Sequence, residues 1–181
     1  MPLLNQIKNK HKMKQNNIKR LLTFILIFGI WNITFAQEKT IIKILNRELK
    51  REVKNQLKSS NFNGDTIRII KEFSIDNNKN LSFQIKKTSP YLIGYQIIKQ
   101  TVSLNKILKI GKDIQIILET EKDAVTTEVI SSDGDEKEQT IKENLFFLYL
   151  SSEKQNDDLG IEIQKAFQKA GIDVIKEYWY D

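Results

Sequence analysis

The chain has 181 residues with 29 basic and 23 acidic side chains, one histidine and no cysteine. The basic surplus is unevenly placed: six of the 29 basic residues and none of the acids fall within positions 1–36, which leaves 23 of each sign in the remainder. That remainder also lacks histidine, cysteine and methionine, since His11, Met1 and Met13 precede it. A Ser-His-Asp triad, a thiolate nucleophile, a His/Cys zinc site, a haem ligated by His, Met or Cys and an iron-sulfur cluster are thereby excluded from it.

In chain order, the first zone is basic (Lys8, Lys10, Lys12, Lys14, Lys19, Arg20), the second is apolar from Leu21 to Trp31, and the third is a short exit ending Thr34-Phe35-Ala36. This is the layout of a secretory signal peptide over residues 1–36, cut between Ala36 and Gln37. Met13 offers an alternative start that leaves a leader of ordinary length. A retained membrane anchor is the competing reading, but an eleven-residue run spans only about 16 Å of a hydrocarbon core about 30 Å thick. The leader, its Phe-Ala-Gln junction and the Lys/Asn/Ile-rich composition resemble exported proteins of Bacteroidota-type bacteria. The resemblance covers the leader alone and implies a periplasmic or extracellular location. Removing the leader removes the positive charge excess, and with it the case for a nucleic-acid partner. Residues 37–181 suffice for a single domain burying roughly 68% of its unfolded surface without disulfides.

The stretch 39–58 places Ile41, Leu45, Leu49, Val53 and Leu57 four apart, which predicts an amphipathic helix with charged outer faces. Ser59, Ser60, Asn61 and Gly64 end it. Ile67, Ile69, Phe73 and Ile75 then alternate with polar residues, "DNNKN" (76–80) reads as a turn, and Leu81, Phe83 and Ile85 resume the alternation, so the pair predicts a hairpin. Tyr91 to Leu104 reads as a long strand with a bulge or close contact at Gly94. "NKILKIGKD" (105–113) reads as a connection with one helical turn, and it lacks the upstream glycine and Ser/Thr of a phosphate-binding loop. Further strands are predicted at Ile114–Thr120, Ala124–Ser131 and Thr140–Leu150. Asp133-Gly134 is a tight-turn dipeptide, which accounts for the acidic cluster Asp133, Asp135, Glu136 and Glu138 without a calcium site. A second helix is predicted from Gln155 to Ala170, stopped by Gly171, and a last strand over 172–180.

These elements predict an α+β domain: an antiparallel sheet of about six strands with an amphipathic helix at each end. The first helix carries seven basic against three acidic residues, while Glu119 to Glu162 holds thirteen acids and four lysines. On separate faces the two segments make a dipole able to steer a charged partner. The adjacent aromatics Tyr178, Trp179 and Tyr180 are the candidate binding residues, with strand packing as the competing explanation.

The pattern supports an exported, non-catalytic binding or interaction module of the bacterial cell envelope. Its partner is a protein, an envelope component or a small apolar ligand, with no cofactor and no metal; the membrane is a partner only if the leader is retained. The alternative is a small carboxylate-dependent hydrolase, since glycoside cleavage needs two acids at a suitable separation. Converging carboxylates in a cavity favour the hydrolase, an apolar cavity favours ligand carriage, and the lack of a cavity favours a protein partner.

Overall fold

A computed structural model describes residues 37–59, 62–132, 137–151 and 155–180 of the protein. The expected leader, with its Ala36 junction, and the acidic residues Asp133, Asp135 and Glu136 lie outside the described residues.

Residues 37–55 are helical and form α1. Its apolar stripe of Ile41, Ile44, Leu45 and Leu49 is buried, and Val53 packs against the same core. The stripe stops there. Gln56–Lys58 tighten into a 3-10 turn, which swings Leu57 out to solvent and removes it from the expected core face. Glu38, Glu48 and Glu52 lie on the buried side rather than on the charged outer face that the pattern predicts. Burying a carboxylate costs several kcal/mol unless it is paired, and each of the three has partners. Glu38 receives Lys79 Nζ at 2.7 and 2.9 Å, Glu48 receives Arg47 Nε at 2.5 Å, and Glu52 accepts from Ser151 N and Oγ at 3.2 and 3.1 Å.

The strands form two sheets rather than one. The first has the order β1-β2-β3-β6-β7, with β1 Thr66–Ile75, β2 Asn80–Thr88, β3 Gln96–Ser103, β6 Val125–Ser131 and β7 Lys137–Glu143, and every neighbouring pair is antiparallel. The second has the order β8-β5-β4-β9, with β4 Ile107–Lys112, β5 Ile116–Thr120, β8 Leu145–Phe147 and β9 Ile175–Trp179. Four differences from the sequence reading have physical causes. The predicted strand 91–104 shrinks to Gln96–Ser103, because the chain turns at Gly94, whose φ of 81° suits glycine, before it enters the sheet. The 105–113 "connection" contains β4, a central strand whose alternation is masked by a register shift between Ile107 and Lys109. The predicted strand 140–150 is two strands, because the chain leaves the first sheet at Asn144 and enters the second. β9 pairs with β4 in parallel, so the second sheet is mixed.

The core lies between the sheets. Phe73 and Phe83 from the first and Phe146 from the second are at most 2% exposed, with ring centroids 4.5, 5.5 and 6.4 Å apart. This spacing suits tilted and edge-on aromatic contacts. Beside the rings runs a polar strut: Phe147 N–H donates to Gln100 Oε1 (2.9 Å), Gln100 Nε2 donates to Thr127 Oγ1 (3.0 Å), and Thr127 Oγ1 donates to Glu143 Oε2 (2.6 Å). Gln100 and Thr127 are buried, and leaving either unpaired would cost about 1–3 kcal/mol.

An exposed sheet edge invites pairing with another chain, and α1 prevents this at β1. Asn46 Oδ1 accepts Phe73 N–H at 2.8 Å and its Nδ2 donates to Phe73 O at 2.9 Å. Gln56 repeats the arrangement at Ile67, at 2.8 and 3.1 Å. Two side-chain amides thus stand in for a sixth strand. Helix α2, Asp157–Lys169, buries Ile163, Ala166 and Phe167, and Asp157 and Asp158 in its first turn complement the helix dipole. It ends at Gly171, whose φ of 79° suits glycine. Arg47 of α1 holds Glu162 of α2 through bonds of 3.0 and 2.6 Å, and this pairing depresses the Glu162 pKa. The basic and acidic segments therefore meet at this contact instead of occupying wholly separate faces.

Candidate functional site

Strand alternation separates the three aromatics singled out from the sequence. Tyr178 lies across Gly111, where a Cβ would sit 2.6 Å from the ring, and its hydroxyl donates to Glu119 at 2.8 Å. Burial and then that bond to a carboxylate push its pKa up to about 12. Trp179 points the other way, over Gly160 of α2, where a Cβ would meet the indole at 2.5 Å. Its Nε1–H donates to Asn156 Oδ1 at 3.0 Å, the same oxygen that receives Lys112 Nζ at 2.9 Å. Trp179 therefore ties β9 to the start of α2. Tyr180 alone is well exposed, stacked on Tyr178 with centroids 5.6 Å apart and planes 16° from parallel.

A larger feature was not singled out by sequence reasoning. Tyr91, Ile93 and Ile114 are 86%, 84% and 81% exposed, and Leu57, Phe62 and Tyr180 are exposed as well. All six lie at the end of the domain where β1 and β3 begin and β2, β4, β6 and β9 end. The loops that carry them touch. Gly64 packs so closely on Pro90 that a Cβ there would lie 2.3 Å from the ring, Asp65 pairs with Lys87 at 2.9 Å, and Gly94 abuts the Ser132 carbonyl. Asp65 is held below its usual pKa: burial alone would raise it, but bonds from Lys87, Ser89 and Asn63 prevail. Tyr180 N–H donates to Lys112 O at 2.9 Å, which sets Tyr180 beside the 113–115 turn.

Between residues 62–65 and the 113–115 turn opens a groove of about 190 Å³, with Phe62 and Ile114 at its walls and Glu52, Lys87 and Tyr149 among its lining. Burial, with Glu143 adding to it, pushes the Tyr149 pKa up to about 12. A second groove of about 180 Å³ runs beside the last turns of α1 and holds Glu48 and Glu52. Both carboxylates have partners, Glu48 in Arg47 and Arg51 and Glu52 in Ser151. Among the described residues no group of three or more carboxylate, imidazole or thiol side chains is placed to hold a metal ion, and no helix is long and apolar enough to cross a membrane.

The sequence reading assigns Tyr91 and Ile93 to a strand over 91–104 and Ile114 to one over 114–120, but β3 begins at Gln96 and β5 at Ile116, so all three sit in turns, as Phe62 does. Turns ordinarily carry polar residues, and an apolar one there has no sheet face to bury against. No protein-family model matches the chain, and no curated protein or solved structure shows significant similarity to it.

Proposed function

We propose that the chain is an exported, non-catalytic binding module whose contact surface is the loop end of the domain, and that its partner is a protein or another large component of the cell envelope. One observation carries this reading: six large apolar side chains from five separate segments converge on one end and stay in water. Single exposed apolar residues are ordinary, whereas a contiguous group marks a contact site. Covering each such side chain is worth about 1.5–3 kcal/mol, so two or three anchors give a partner useful affinity. Both grooves, of about 190 and 180 Å³, fall below the roughly 300–1,000 Å³ of small-molecule sites, which favours a large partner over an enclosed apolar ligand.

Export is tested by N-terminal sequencing of the native protein, which should begin at Gln37. Contact is tested by photo-crosslinking in intact cells, with the crosslinker at Ile93 or Ile114 and, as control, at Thr140 on the outer part of β7. The proposal expects discrete adducts from the loop positions alone, weakened about tenfold by Tyr91→Ser. Equal or absent crosslinking from all three positions would overturn it.

A further inference from the structure

We infer that the exposed face of the first sheet carries a binding site for an oxyanion, a phosphate or sulfate group borne by a ligand, built from Thr66, Arg68, Lys86 and Thr88. The inference starts from register. Arg68 stands directly opposite Lys86 across β1 and β2, and like charges in that position repel and destabilise the pair. Other cations of this sheet avoid the problem: Lys99 faces Glu128 at 2.8 Å, and Lys87 holds Asp65. Strand β2 has no acid, and the one acid of β1, Glu72, is taken by Lys50 of α1 at 2.8 Å. Among the described residues no carboxylate lies within ion-pair distance of Arg68 or Lys86, and an anion between them would turn the repulsion into attraction.

The surroundings suit an oxyanion. The four side chains line a depression of about 220 Å³. Thr66 and Thr88 are also in register, with their Oγ1 atoms 2.6 Å apart. Only one of the two hydroxyl protons is used in that bond, so the other O–H donor is available to a ligand. Lys86 Nζ sits 3.5 Å from the centre of the Tyr95 ring, which steadies the ammonium over the depression. A guanidinium fork, an ammonium and a hydroxyl donor together match the oxygens of a phosphate or sulfate group, where charge-assisted bonds are strongest. The site rests on charge and register, not on the apolar loop end, so it stands or falls separately from the contact surface.

The test is a titration of the isotope-labelled protein, followed by amide NMR. Inorganic phosphate and sulfate should move the amides of Thr66, Arg68, Lys86 and Thr88 along saturating curves, while sodium chloride of equal ionic strength should not. Arg68→Gln with Lys86→Gln should raise the half-saturating concentration at least about tenfold, and Lys99→Gln should leave it unchanged. Phosphate should also raise the melting temperature of the parent but not of the double variant, which separates lost binding from a damaged fold. A sugar phosphate and phosphatidylglycerol vesicles sort the source: competition by the first identifies a soluble or glycan phosphate, and co-sedimentation with the second that depends on Arg68 and Lys86 identifies a lipid headgroup. Linear shifts that follow ionic strength, or unchanged saturation in the double variant, would overturn the inference.

Discussion

The two ends of the domain solve the same problem in opposite ways. At the end where β1 turns into β2, the described connections 76–79, 104–106 and 121–124 are tied down and expose no large apolar side chain: the Asp76 carboxylate accepts N–H groups from Asn80 and Asn78, at 2.9 and 2.8 Å, and those bonds lower its pKa. Leu104 N–H donates to Lys79 O, Glu121 N–H to Lys106 O, and Lys106 Nζ reaches Glu121 at 2.7 Å. At the other end, the connections present Phe62, Tyr91, Ile93 and Ile114 to water. Fold stability accounts for the first end. It does not account for the second, where polar residues would serve folding equally well, and this difference is what the proposed contact surface rests on.

The comparison can be sharpened by substitutions that act on folding alone. Phe83→Ala strikes the ring cluster beneath both ends and should cost about 3–5 kcal/mol, seen as a lower denaturant midpoint with an unchanged slope. Asn46→Ala leaves Phe73 N–H and C=O at the β1 edge without partners and should cost about 1–3 kcal/mol, with faster amide exchange concentrated along β1. Alkali adds a pH test. Tyr149 and Tyr178 keep their protons to about pH 12 in the folded chain, while an unfolded tyrosine ionises near 10. The unfolded state therefore binds fewer protons between these values, and stability should fall as pH rises from about 10 to 12. Tyr178→Phe should flatten that fall, read by the tyrosinate absorbance and by the unfolding midpoint. Ile93→Ser and Tyr91→Ser should have the smallest effect on folding, within about 0.5 kcal/mol, while weakening partner crosslinking about tenfold each.

Local patterns reveal local structure in this chain. The β1–β2 hairpin was legible because Ile67, Ile69, Phe73 and Ile75 keep the period of two across the irregularity at Lys71 and "DNNKN" supplies the turn; α2 was legible from its stripe and Gly171. β4 was not, since consecutive Ile107 and Leu108 after a 3-10 turn break the period of two. Neither the division into two sheets at Asn144 nor the parallel β4–β9 pairing has a local signature, because both depend on partners more than twenty residues away. The site follows the same rule. Tyr178, Trp179 and Tyr180 draw attention by being adjacent, yet the strand sends Trp179 to one face and Tyr178 to the other. Phe62 and Ile114 come to line one groove only after the sheets form.

Hydroxyl-radical footprinting of the native protein in intact cells, compared with the purified protein, tests the central claim most directly. The account predicts that oxidation of Tyr91, Ile93 and Ile114 is strongly suppressed in cells, while Leu108 and Ile175, exposed on the second sheet, oxidise equally in both. Equal oxidation of Tyr91, Ile93 and Ile114 in the two preparations would contradict it.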